Sequence, residues 1–226
     1  MERPIITVPR DLLRQTEFNW QIDWRGQESG VSIGGNPLGV VNAFPRWIGE
    51  PQMTLHNDLV RRWRAIIGQA QGRLGVFRLP LIDPIGFDWQ AAAGALSPNG
   101  AQIGNGEYLT TGNGIAYVPM ALAVGAVAAG ATEFRIDVSP CGIAPVDGQI
   151  MSAEDWPFQV TWTQPVSGTL YDIGVVRLAT AIEDGGVINM QGHGRFEMRD
   201  ESQGMASYGP DRHSTPSLAV QEVLRR

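Results

Sequence analysis

From Glu17 to Arg25 (EFNWQIDWR) apolar and polar side chains alternate without a break. Phe18, Trp20, Ile22 and Trp24 fall on one face of an extended strand, and Asn19, Gln21, Asp23 and Arg25 on the other. The same period of two returns in EFRIDVS (133–139), through Phe134, Ile136 and Val138, and in FQVTWTQ (158–164), through Phe158, Val160 and Trp162. Shorter apolar runs at 39–44, 75–82, 173–180, 187–192 and 195–199 are bounded by glycine, proline or polar residues and predict further strands. Glu183-Asp184-Gly185-Gly186 predicts a hairpin turn between the runs at 173–180 and 187–192.

One stretch breaks the pattern. In TLHNDLVRRWRAIIGQAQGR (54–73) the apolar residues recur at helical spacing: Leu59, Trp63, Ile66, Ile67 and Ala70 share a face with Val60 at its edge, opposite Arg61 and Arg64. This predicts a helix over about 55–71, with Thr54 as N-cap, Asp58 in the first turn and Gly72 just past the end. Gly68 inside it costs about 1 kcal/mol relative to alanine, so packing has to hold the segment. So broad an apolar stripe is expected to lie as a cover across the open face of a sheet.

Residues 83–132 follow neither period. They are rich in turn residues and then in alanine, glycine and valine, and Tyr108 to Thr132 carries no charge. That length raises a membrane span, but Pro119 and several glycines interrupt it and no basic cluster flanks it, so no membrane insertion is expected. The segment is expected to be an irregular insertion whose small apolar residues contact a neighbouring subunit, with Tyr117, Val118, Met120, Leu122 and Val124 as the contact candidates.

Length and composition complete the expectation of a single mainly-β domain over 1–226, a β-sandwich with one covering helix and an insertion at about 83–132. The chain has 226 residues, of which 43% are hydrophobic and 18% charged, with 28 glycines and 15 prolines. The net charge of −6 argues against a face that grips nucleic-acid phosphates, although not against a channel through which DNA slides. All 17 basic residues are arginine. Cys141 is the single cysteine, which excludes an intrachain disulfide and fits a reducing compartment. MERPIITVPRDLL lacks the continuous apolar core of a secretory leader.

The residues do not assemble into catalytic chemistry. Gly30-Val31-Ser32-Ile33-Gly34 matches G-x-S-x-G, but a nucleophile elbow needs a preceding strand and a following helix, and here polar RGQES precedes and GNPLG follows. His56, His193 and His213 are far apart in sequence, with His56 expected in the helix's first turn and His193 in an exposed turn between glycines. No Cys/His spacing of a zinc site occurs, so neither metal nor cofactor is expected. Cys141 reads as a small buried hydrophobe. Asp83, Asp88, Glu154, Asp155, Glu183 and Asp184 are scattered, and no pair stands out as an acid and base. Among the tryptophans, Trp20, Trp24, Trp63 and Trp162 sit on apolar faces and are expected in the core, which leaves Trp47, Trp89 and Trp156 freer.

Three stretches resemble a known family. RWIGEPQMTL (46–55) with the helix and GRLGVFRLPLIDP (72–84), then GIAPVDGQIMSAEDWPFQVT (142–161), and finally HGRFEMRDESQG (193–204) with LAVQEV (218–223), are similar to the distal and minor tail proteins of long-tailed bacteriophages and gene transfer agents. The resemblance spans residues 40–226 at the level of pattern. It implies a tail-tube-related β-sandwich with a covering helix, assembled as a hexameric ring between the tail tube protein and the baseplate hub proteins. It also implies a non-enzymatic virion component, put together in the bacterial cytoplasm, with DNA passing through the ring unbound. The chain is too short for the separate C-terminal carbohydrate-binding domain of larger members. The alternatives from other classes are a carbohydrate-binding β-sandwich using Trp47, Trp89 or Trp156, and a hydrolase using Ser32 or an unrecognised carboxylate pair.

Overall fold

The computed structural model describes residues 3–13, 15–17, 19–31, 37–40, 45–87 and 119–225. The protein is mainly β with one α-helix among the described residues, as the alternation predicts. It divides into two compact units, Met1–Leu79 with Arg195–Arg226, and Pro80–Gly194. The sequence pattern led instead to one domain. The inserted part starts near the expected position but runs on to Gly194 and takes in strands assigned to the parent domain.

In the first unit the strands are β1 (Ile5–Thr7), β2 (Gln15–Glu17), β3 (Gln21–Asp23), β4 (Gln27–Val31), β5 (Pro37–Val40), β6 (Arg46–Gly49), β7 (Gln52–Met53) and β8 (Leu55–His56). Helix α1 (Asp58–Ala70) and β9 (Val76–Pro80) follow. The second unit holds β10 (Met120–Val124), β11 (Glu133–Asp137), β12 (Ile150–Ala153), β13 (Trp156–Ser167), β14 (Leu170–Val176) and β15 (Val187–Asn189). The chain returns through β16 (His193–Met198) and ends with β17 (His213–Ser214) and β18 (Val220–Glu222).

The sheet of the first unit has the order β1-β9-β16-β18-β6-β3. Its core contains Trp47, Trp63, Phe77, Leu79, Phe196, Met198 and Val220, all buried. β9 reads as a nearly continuous apolar run because Val76, Phe77, Leu79 and Pro80 are all buried. The run EFNWQIDWR breaks into β2 and β3, which pair with β7 and β6 respectively. Asp23 Oδ1 accepts the backbone N–H of Arg25 at 3.1 Å, and Arg25 has φ 50, so an Asx turn ends β3 there. Trp24 consequently lies outside the strand and is 51% exposed, contrary to the alternation. Trp20 stays on the expected side, its ring 5.2 Å from that of Phe196. It lies directly on Gly49, where a Cβ would run into the indole. Gly49→Ala is therefore expected to destabilise the fold by about 1–3 kcal/mol, as overpacking does, measurable by urea unfolding.

α1 begins three residues later than expected from a Thr54 cap. Leu55 and His56 pair as a strand with Ser214 and His213, so the chain cannot turn into a helix until Asn57. Asn57 holds φ 49 and caps no backbone N–H with its side chain. At the other end Gln71 takes the left-handed conformation, with Gly72 at φ 68 after it, which matches the stop read from the sequence. The buried side is Val60, Trp63 and Ala70, with Leu59, Ile66 and Ile67 half-buried, so Trp63 is central to the face and Val60, at its edge, is buried as well. The helix packs beside β1 and β8, and Trp63 Nε1–H donates to the Gly204 carbonyl at 2.7 Å.

In the second unit a closed antiparallel barrel runs β10-β11-β14-β13-β12-β15. Closure gives every strand of this sheet a neighbour on both sides, and the outer part of β13, 161–167, pairs with β14 alone. Ile136, Met151, Phe158, Val160, Ile173, Ile188 and Met190 fill its interior. β10 supplies Ala121 and Ala123 to that interior, 0% and 2% exposed. This corrects the expectation for residues 119–132. The small, uncharged residues there include a barrel strand held between β11 and β15, and alanine is what the filled interior accommodates. The turn at Glu183–Gly186 forms, with Gly185 at φ 72, but β14 and β15 do not pair with each other. Residues 88–118, including Trp89, Tyr117 and Val118, lie outside the described residues. Among the described residues no helix is long and apolar enough to cross a membrane.

Candidate functional site

The outward face of the barrel is where the contact candidates come together. With Ala121 and Ala123 turned inward, Met120, Leu122 and Val124 all point outward; the first two are half-buried and Val124 is 42% exposed. Leu122 is the cross-strand partner of Val187, itself 50% exposed, so the apolar row continues onto β15. Tyr117 and Val118 lie outside the described residues.

Trp162 extends this face on β13. Alternation from Phe158 and Val160 places it in the core, and both of those are fully buried. A β-bulge between Val160 and Trp162 shifts the register by one residue and turns the indole outward, 38% exposed. It lies over Gly174, its cross-strand partner, where any Cβ would occupy the place of the ring. The opposite error concerns Trp47, expected to be free but 1% exposed in the core, while Trp156 is half-buried. The one sequence signal for the outward Trp162 is the glycine within IGVV, since a glycine in a strand often marks a close approach.

Beside Trp162 an open cleft of about 540 Å³ is lined by Val124, Glu133, Arg135, Gln164 and Asp172 among others. Arg135 Nε and Nη2 grip the two Asp172 oxygens at 2.7 and 3.0 Å. The paired geometry raises the guanidinium above its ordinary value and holds the carboxyl below its own, in each case chiefly through the hydrogen bond. The face thus combines an aromatic plate, an aliphatic row and a fixed ion pair. It can bind another surface by packing and planar hydrogen bonding, and it presents no nucleophile with a base.

The other sequence-level candidates fall elsewhere. β4 and β5 pair antiparallel on either side of Ser32, which itself lies outside the described residues, so a strand follows the G-x-S-x-G run where an elbow needs a helix. His56 and His213, distant in sequence, are cross-strand partners with ring centres 4.7 Å apart. His193 is half-buried in β16 rather than in an exposed turn; its N–H donates to Ser152 Oγ at 3.0 Å and its Nδ1 lies 2.9 Å from the Gln191 carbonyl. Cys141 is partly buried against the barrel core, and burial pushes its thiol up. Glu183 and Asp184 are exposed at their turn, and Asp155 is buried. Among the described residues no group of three or more His, Cys, Asp or Glu side chains could hold a metal ion. No protein-family model and no curated protein sequence matches the chain.

Proposed function

We propose that this chain is a structural protein of a phage-type tail. It forms a ring, of six copies by the resemblance, at the distal end of the tail tube, joins the tube to the baseplate hub and leaves a channel for DNA. The observation that carries this reading is the outward barrel surface, where Val124 and Trp162 lie exposed beside the fixed Arg135–Asp172 pair and Leu122 and Val187 continue the apolar row on the other side of Val124. Such a face calls for a protein partner. The mainly-β fold with one amphipathic helix and the pattern shared with tail proteins agree with it. The protein acts by assembly, carries no cofactor, and belongs to the virion tail. Immunogold labelling of particles with an antibody to this chain is expected to mark the distal tip of the tail; intact particles that never take the label would contradict it.

A second reading is supported by Trp162 alone. An indole laid flat over Gly174 beside Arg135, Asp172 and Gln164 has the make-up of a sugar-stacking platform. Under that reading a glycan array binds the wild-type chain, and Trp162→Ala loses the signal while the native mass stays the same. Under the tail reading the array stays blank.

A further inference from the structure

Charge is divided unevenly along this chain. Residues 80–194, the barrel unit, hold 11 carboxylates against two arginines, a net −9. The remaining residues hold 15 arginines against 12 carboxylates, a net +3. Within that basic unit Arg61, Arg64 and Arg212 surround one open cleft of about 310 Å³ together with Tyr208. Arg64 Nη1 donates to Tyr208 Oη at 3.3 Å, and its guanidinium lies 5.8 Å from the centre of the same ring. This holds Arg64 beside the opening. Arg212 is fixed through its backbone, with its N–H on the Gly209 carbonyl at 3.0 Å and its own carbonyl accepting Asn57 N–H at 3.0 Å. Asp58 is the one carboxylate lining the cleft, and it meets Arg61 at 3.4 Å. Arg64 and Arg212 have no carboxylate partner among the described residues.

We infer that this arginine cleft receives carboxylates from the barrel unit of a second copy of the same chain. Planar guanidiniums take carboxylates in paired hydrogen bonds, and the barrel is the strongly acidic body this protein itself supplies. Exposed carboxylates on it include Glu154 and Glu183. The cleft belongs to one unit and the acid to the other, so in the proposed ring the contact runs head to tail from each copy to the next, as a heterologous contact must to close a ring. The inference rests on the ring proposed above and adds which surfaces meet.

Two full-length variants test it, each checked for a wild-type circular-dichroism melt: Arg64→Glu/Arg212→Glu, and Glu154→Arg/Glu183→Arg. The native mass of each alone is expected to fall to the monomer, with association weakened about a hundredfold by like charges in contact. An equimolar mixture is expected to regain the assembly, since each variant then meets a complementary surface. Wild-type mass in the Arg64→Glu/Arg212→Glu variant would overturn the inference and leave the ring standing. A wild-type chain that stays monomeric at low salt would overturn both. Retention of duplex DNA by the wild type, lost in the arginine variant with no change in mass, would overturn it in favour of phosphate binding.

Discussion

Trp63→Ala is expected to destabilise the protein by about 3–5 kcal/mol, the range of a large aromatic deleted from a packed core. Trp63 is fully buried under α1, and nothing else on the helix matches its size. Its N–H also closes on the Gly204 carbonyl at 2.7 Å, so truncation leaves a cavity and takes that carbonyl's donor away. Trp63→Phe separates the two effects. It keeps most of the packing and loses the hydrogen bond, for about 1–3 kcal/mol. Urea unfolding of the full chain followed by far-ultraviolet circular dichroism reads both. Equal, small losses for the two variants would mean that the helix is held by something other than this side chain.

The second large effect contrasts two aromatic residues on one strand. Phe158→Ala is expected to cost about 3–5 kcal/mol, because Phe158 is fully buried in the barrel with its ring edge-on to Phe134 at 5.9 Å. Trp162→Ala, four residues on, is expected to cost under about 1 kcal/mol, since its indole lies outside the barrel and shields only part of its own surface. Strict alternation would have the two cost alike. Unfolding midpoints of the two variants measured side by side decide between a bulged and a regular β13.

How far the fold can be read in the sequence depends on the kind of signal. Period-two runs such as EFRIDV (133–138) become β11 because one face is buried in the barrel and alternation records that directly. The helix shows for the same reason at its own period, and its stop shows because Gly72 has the freedom that a positive φ requires. Its start does not show. Thr54 is a good cap by chemistry, yet the pairing of Leu55 and His56 with residues almost 160 positions later overrides it. The single bulge that turns Trp162 outward leaves no local trace beyond Gly174, and the Asx turn that leaves Trp24 exposed is hidden because Asp23 and Arg25 also fit the polar face of a continuous strand.

The site is legible in part. Met120, Leu122 and Val124 stand out as apolar residues in a charge-free stretch, and they do share the outward face. The reason differs from the expected one, since they belong to a barrel strand rather than an irregular segment. Val187 joins that face through the register of β10 with β15, about 65 positions away, and Trp162 through the cleft it shares with Val124, about 40 positions away, and neither can be seen in a linear pattern. The arginine cleft is likewise a tertiary feature, with Arg61 and Arg64 on α1 and Arg212 close to β17.

On the reading we propose, this protein works by assembling with copies of itself. The most direct test of that reading is the native mass of the purified full-length chain by light scattering, over a concentration series at low and at high salt. A closed assembly of six copies, or a simple multiple, that weakens as salt is raised is the predicted result. A monomer at every concentration and salt would contradict it.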